Sequence, residues 1–483
     1  MEPPASGPRE ARESQGAPDE DDRGAPRAPR IVIVGAGPAG VRAAEALVAA
    51  GLRPTLIDEG RRAGGQIYRR QPETFTRSYA KLYGTEASRA AAIHQTFDGL
   101  LDRIDYRPET LVWNISGGRV WTLTGASEAN LAYDALIICA GATDRLMPVK
   151  GWNAAGTYTL GAAQIALKAQ ACAIGRQVVL MGTGPLLYLL ASQYLQAGAP
   201  LAAVLDTSPV WRRIAALPKL LASPQVLWNG LVLTGELRRA GVRAYTGILP
   251  VEIERGTEGG VAAVTFETAR GTRHRVECDA VAMGWHLRPE TQLADLARCE
   301  FVFDPASRQW VVGRDACGRT SAQRVYVAGD GAYILGARAA ETAGSLAALA
   351  LLQDLDFPVN ESEIRVRHRE LAKWIRFAAG LREAFPWPQP QAVAMSDEAI
   401  ICRCESIAAG ELRRVVRDTG AAEANRAKAF TRVGMGRCQG RYCAHAGAEV
   451  IAAAAGVGLD QVGRLRGQAP VKPFPIEAVE PAQ

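Results

Sequence analysis

Short runs of Val, Ile and Leu recur along this chain, each followed by an Ala-rich stretch whose apolar residues fall three and four apart. That alternation predicts a parallel sheet with crossover helices, an α/β fold. Ile31 to Val34 reads as a strand, Pro38 to Ala50 as a helix closed by Gly51, and Thr55 to Ile57 as the next strand. Residues from about Tyr106 to Gly125 alternate like antiparallel strands, and Ala135 to Cys139 is a buried strand running into Ala140-Gly141-Ala142. Val178 to Met181 and Val325 to Ala328 are further apolar strands, each ending at a glycine. The segment Pro386-Trp387-Pro388-Gln389-Pro390 breaks the pattern and reads as part of a linker.

Composition narrows the class. Residues 1–30 hold no aromatic residue and no Ile, Leu or Val, so they are expected to form a disordered leader, and they lack the apolar core of a signal peptide. With 56 Lys and Arg against 50 Asp and Glu, the net charge is only +6, and the basic residues are scattered; nucleic acid is not an expected partner. The longest apolar stretch, Leu335 to Leu352, is interrupted by Arg338 and Glu341, so no transmembrane segment is expected and a soluble protein is. Four of the nine cysteines crowd between positions 402 and 443, which suits a metal or cluster site in a reducing cytoplasm better than a disulfide framework.

Gly35-Ala36-Gly37-Pro38-Ala39-Gly40 follows a strand and opens a helix, the context that gives a dinucleotide motif its meaning. Gly35 permits the tight turn, Gly37 lets the backbone approach a pyrophosphate, and Gly40 lets helix and strand pack closely. The helix N-terminus attracts the negative charge. Asp58, at the end of the second strand, is the candidate for the adenosine ribose, with Glu59 beside it. Gly329-Asp330, just past the Val325 strand, supplies a carboxylate for a second anchor, which a ribityl chain needs; this argues for FAD. Together with Ala140-Gly141-Ala142, these motifs resemble the two-dinucleotide-binding-domain flavoprotein superfamily over about residues 30 to 355.

Gly182-Thr183-Gly184-Pro185-Leu186-Leu187 is a second glycine turn, but Leu187 stands at the third glycine position and should hold helix and strand apart. Asp206 is placed like a ribose ligand. In related reductases this domain binds NAD(P)H; here NAD(P), another adenine nucleotide and a purely structural fold all stay open.

Cys402-Arg403-Cys404 and Cys438-Gln439-Gly440-Arg441-Tyr442-Cys443 offer four thiolates, which suit a [2Fe-2S] cluster. Zinc competes, although its thiolate pairs usually stand two to four residues apart. Gly434, Gly436 and Gly440 would bring backbone N–H groups to the sulfurs, and Arg403, Arg437 and Arg441 would offset cluster charge. The segment resembles the bacterioferritin-associated-ferredoxin-like cluster domain, in the version fused to amine-oxidising flavoproteins. The whole chain is similar to the larger, pyridine-nucleotide-reductase-like subunit of heteromeric amino-acid and opine dehydrogenases, the family of hydrogen cyanide synthase, octopine and nopaline oxidases and D-hydroxyproline dehydrogenase. Gly64-Gly65-Gln66-Ile67-Tyr68 is another shared element, and the resemblance puts Gly65 and Gln66 in the cofactor site.

That resemblance implies a chain that relays electrons from a smaller D-amino-acid-oxidase-like flavoprotein partner to an acceptor it does not identify, with a small ferredoxin-like protein as an optional companion. A self-sufficient NAD(P)H-dependent reductase and a non-catalytic nucleotide-binding scaffold are the alternatives. No close redox cysteine pair exists outside the cluster segment, so dithiol chemistry is not expected, and no acid, base or nucleophile for substrate chemistry can be assigned. His286 follows a strand near the expected flavin edge. The expected order is leader 1–30, FAD domain 31–160, inserted nucleotide-type domain 161–280, FAD domain again 281–355, linker 356–397, α-rich [2Fe-2S] domain 398–460 and tail 461–483.

Overall fold

A computed structural model describes residues 27–75, 77–474 and 480–481. The first domain is built on a five-stranded parallel sheet in which Ile31–Val34 lies between Thr55–Ile57 and Ala135–Ile138, with Val325–Val327 and Asp105–Arg107 at the edges. All four residues of the first strand are buried, as a strand covered on both faces requires. Helix Pro38–Ala49 follows, started by proline in its first turn, and Gly51 ends the turn at φ +82°. Helix Ala337–Asp354 crosses it so closely that a Cβ on Gly344 would lie 2.0 Å from the Ala39 carbonyl oxygen.

The expected antiparallel stretch divides in two. Asp105–Arg107, with Tyr106, extends the parallel sheet, and Thr110–Ser116 and Arg119–Thr124 form the antiparallel part. The leader expected over 1–30 falls almost wholly outside the described residues. Its end is ordered: Arg30 donates to Asp134 from its backbone and its guanidinium.

The inserted domain has its own five-stranded parallel sheet, which includes Thr157–Thr159 and Ala280–Trp285. It therefore takes in a strand before 161 and one after 280. An antiparallel sheet of Leu249–Arg255, Val261–Glu267 and Arg273–Glu277 packs beside it. Ala142–Asp144 pairs with Leu287–Pro289 where the chain leaves and re-enters the first domain.

The expected linker 356–397 is mostly helix. Asn360 caps Glu361–Ala384 by accepting from the Ser362 amide, and Leu371, Trp374, Phe377, Ala378 and Leu381 turn inward at helical spacing. Many charges on the outer face hide that stripe in a composition scan. The cysteine-bearing module is α-rich: one short hairpin, Ile400–Cys402 with Ile407–Ala408, then helices Ala409–Thr419, Ala424–Thr431 and Ala444–Ala455. The tail runs back onto the first domain, where Val471 is buried and its amide donates to the Trp113 carbonyl. Among the described residues no helix is long and apolar enough to cross a membrane.

Candidate functional site

The first glycine turn is a cradle made of backbone. A Cβ on Gly35 would fall 2.3 Å from the Cys139 carbonyl oxygen, and one on Gly40 would fall 1.8 Å from that of Gly35. Gly65, at φ +63°, lies directly over Gly37, its Cβ position 3.0 Å from the Gly37 Cα. Gly331 packs against the backbone of Gly141, whose own Cβ position (φ +71°) opens into free space. Gly329 abuts Ala39. Four separate glycine-bearing segments thus bring main chain close around the N-terminus of helix Pro38–Ala49. That is the shape an adenine dinucleotide needs for close approach to its pyrophosphate.

The carboxylates divide the work. Asp58 accepts from the amides of Ala36 at 2.5 Å and Gly60 at 2.6 Å, so it braces the turn, and burial raises its pKa. Glu59 is exposed and paired with Lys472. Asp330 Oδ1 accepts from the amides of Leu335 and Gly336, both at 2.9 Å, and its other oxygen has no hydrogen-bond partner among the described residues. Burial raises its pKa too. A carboxylate held by one oxygen with the other free suits a ribityl hydroxyl. Gln66 is exposed, and its side chain is taken by Arg69.

The second glycine turn is filled from within. Asp206, completely buried, accepts from Thr183 Oγ1 (2.8 Å), Tyr188 Oη (2.7 Å), Arg213 Nη2 (2.6 Å) and the Ser208 amide (2.7 Å). No lone pair is left for a ribose. The His286 ring lies against Gly184, where a Cβ would come within 3.4 Å of Nδ1, and its Nε2 is bonded to the Phe385 carbonyl. Burial holds the His286 imidazole down to about 4, so it is neutral. Leu187 packs in the core behind the turn. The residues present do not fit a pyridine nucleotide in the expected pose, and the buried His286 ring fills the space beside Gly184.

The four cysteines come together as two pairs, Cys402 with Cys443 and Cys404 with Cys438. Cys402 is pulled down to about 6 by the hydrogen bond from Cys443 and by the amides of Gly434, Glu405 and Cys404. The same hydrogen bond, with burial, pushes Cys443 up. Gly436 seats the Cys404 side chain, with its Cβ position 3.3 Å from that Sγ, and Leu465 wedges between Gly434 and Gly440. Among the described residues no three or more His, Cys, Asp or Glu side chains converge on one metal-ion position. Two thiol pairs with amides aimed at sulfur fit a two-iron cluster better than one zinc ion.

Of the arginines expected here, Arg441 is buried and donates to the Cys438 carbonyl at 3.3 Å. Arg403 turns to the Thr157 carbonyl and the Trp152 ring, and Arg437 is exposed. The second cation is Arg288, buried and, among the described residues, without a carboxylate at ion-pair distance, which donates to the Arg441 carbonyl. Nothing in its local sequence marks it.

A second set of residues, also unmarked, joins the modules. The Arg145 guanidinium lies 3.9 Å over the Trp387 ring, Trp387 Nε1 donates to Glu449, and Glu449, almost fully buried, receives Arg308 through two bonds of 2.9 and 2.7 Å. The five remaining cysteines are unpaired, and burial raises the Cys139 thiol to about 12.

Comparison with known proteins agrees with this architecture. Residues 29–348 match the family model described as pyridine nucleotide-disulphide oxidoreductase, and residues 400–453 match the BFD-like [2Fe-2S] binding domain. An opine oxidase subunit from Agrobacterium tumefaciens (strain Ach5) is 36% identical over 459 residues, 92% of this chain and 90% of its own. The hydrogen cyanide synthase subunit HcnB of Pseudomonas protegens is 29% identical over 461 residues, 93% of this chain and 97% of its own. Among solved structures, L-proline dehydrogenase from P. horikoshii superposes with a TM-score of 0.68 at 19% identity, covering 94% of this chain and 79% of that one; this is a likeness of fold.

Proposed function

Because the chain belongs to the pyridine nucleotide-disulphide oxidoreductase family, within the group that holds the matching opine oxidase subunits, we propose that it is the electron-relaying subunit of a heteromeric enzyme that oxidises a C–N bond of an amino acid or opine. It is a flavo-iron-sulfur oxidoreductase subunit with FAD and a [2Fe-2S] cluster as cofactors. On this reading a D-amino-acid-oxidase-like flavoprotein partner removes electrons from the amine, and this chain passes them to an acceptor. FAD supplies acceptance of an electron pair and its release singly, and the cluster carries one electron at a time.

The residues have separate tasks. Gly35, Gly37 and Gly40 admit the pyrophosphate, Asp58 reaches the adenosine ribose from its bracing position, Asp330 takes a ribityl hydroxyl, and Gly65 and Gly141 line the flavin. Cys402, Cys404, Cys438 and Cys443 ligate the cluster. One observation carries the relay reading over an NAD(P)H-dependent reductase: the flavin cradle and the cysteine module are joined by side chains, whereas the second nucleotide site is filled by Thr183, Tyr188 and Arg213 around Asp206.

A surface for the partner also stands out. Trp211, Ile214, Leu221, Trp228 and Leu231 are all more than half exposed, and no acidic residue occurs between Asp206 and Glu236, while Arg212, Arg213 and Lys219 do. Lys219 is ion-paired with Glu383 and Arg213 with Asp206, so the feature that stands out is the exposed apolar area, which we assign to the amine-oxidising subunit. The test is expression alone and together with an amino-acid-oxidase-like flavoprotein subunit. Amine oxidation by the pair and not by the single chain is expected; full turnover by the single chain would sink the reading.

A further inference from the structure

One short segment, Leu287 to Gln292, touches both cofactor sites. At its start, Leu287–Pro289 pairs with Ala142–Asp144, the strand that follows Gly141 of the FAD cradle, and the Glu290 amide donates to the Gly141 carbonyl at 2.9 Å. At its other end, Gln292 Nε2 donates to the carbonyl of Gln439, next to Cys438, at 2.7 Å. Between them, Glu290 Oε2 accepts from Arg441 Nε at 2.7 Å, and both side chains are about one-tenth exposed. Arg441 also donates through Nη1 to the carbonyls of Cys438 (3.3 Å) and Val471 (2.8 Å), while Arg288 Nη1 donates to the carbonyl of Arg441 itself (3.1 Å).

A buried ion pair costs desolvation that its own attraction only partly offsets, so this pair is weak evidence of added stability. Every atom on the line from the Gly141 carbonyl through Glu290 and Arg441 to Cys438 is covalently bonded or hydrogen-bonded to the next. Resting on the relay reading, we infer that the Glu290–Arg441 pair is the coupling element between the flavin and the cluster. Glu290 is fixed to the flavin side by its backbone and to the cluster side by its side chain. Arg441 holds the Cys438 loop at the resulting distance and places a cation beside the anionic sulfurs, with Arg288 behind it. With both groups bound, one electron would pass from the reduced flavin to the oxidised cluster, and the second would follow only after the cluster had handed the first to an external one-electron acceptor, the flavin's protons leaving to solvent; no bond to either residue forms or breaks. Glu290 and Arg441 are positioning residues.

The test uses the full chain loaded with flavin and cluster, as E290Q and R441Q. The first is isosteric and keeps the backbone bond to Gly141, so it preserves the fold even where R441Q loosens it. After photoreduction of the flavin under anaerobic conditions, the reduced-cluster signal is followed by electron paramagnetic resonance, and the cluster midpoint potential is titrated separately. Both variants should slow cluster reduction by about tenfold or more, the order expected when two reacting groups are held slightly out of place. The midpoint potentials should move in opposite directions, upward in E290Q, which loses an anion, and downward in R441Q, which loses a cation. Rates within about twofold of the parent, potentials that move together, or loss of the cluster from both variants would overturn the inference. No cluster reduction in the parent chain would instead sink the relay reading on which it rests.

Discussion

Arg213 Nη2 lies 2.6 Å from Oδ2 of Asp206, a carboxylate with no exposed surface at the tip of the second nucleotide-type sheet. The side chain that would hold a ribose in a working pyridine-nucleotide site is thereby committed to its own domain. The flavin of the purified chain should therefore not bleach rapidly with NADH or NADPH in the absence of oxygen; bleaching within the mixing time would refute this. Arg213→Ala should cost about 3 kcal/mol of stability, the order found when one partner of a buried pair is removed, read as a lower thermal midpoint.

Gly436 sits where a methyl group would fall 2.2 Å from the Cβ of Cys404. Gly436→Ala should lower bound iron and the cluster's visible absorption while flavin content stays at the parent level. Retention of full iron would show that the loop can shift to admit the methyl group.

Asp144 sits buried where the two domains meet, and burial raises its carboxyl to about 6 despite the Gly161 amide at 3.1 Å. An acid raised in the folded state binds its proton there before the unfolded chain does. Stability from this group should thus fall as the pH rises from about 4 to about 6 and stay level above, by up to about 3 kcal/mol for a shift of this size. Asp144→Asn should flatten that part of the curve, measured by denaturant unfolding at several pH values. An unchanged slope would count against the assignment.

Trp228 is 66% exposed and Ile214 64%, so charges there should leave the isolated chain intact. Trp228→Glu and Ile214→Glu should change unfolding by no more than about 0.5 kcal/mol yet weaken assembly with the amine-oxidising partner, followed by size-exclusion chromatography. Undiminished assembly would move the docking surface elsewhere.

Much of this was legible because it is local. The Ile31–Val34 strand, the Gly35 to Gly40 turn and the Cys402-to-Cys443 spacing each carry their meaning within a few residues, and the strand and turn stand where that pattern puts them. Helix Glu361–Ala384 was hidden by its charges, which outnumber the inward stripe of Trp374, Phe377 and Leu381. Arg288, Glu290, Arg308 and Glu449 were not legible at all. Their partners lie far away in the chain, and an arginine bound to a distant carbonyl looks in sequence like any solvated one. Asp206 shows the opposite failure: its position was right for a ribose ligand, but only the folded chain shows Tyr188 and Arg213 arriving first.

The joint of Arg145, Trp387, Glu449 and Arg308 has a consequence for traffic. A redox module on a free tether can travel between donor and acceptor, collecting at one and delivering at the other. Here stacking and paired hydrogen bonds moor that module to its neighbour, so it has no such berth to leave. On the proposed relay reading, whatever takes the electrons must come alongside, and the rate at which it arrives and departs would then govern turnover.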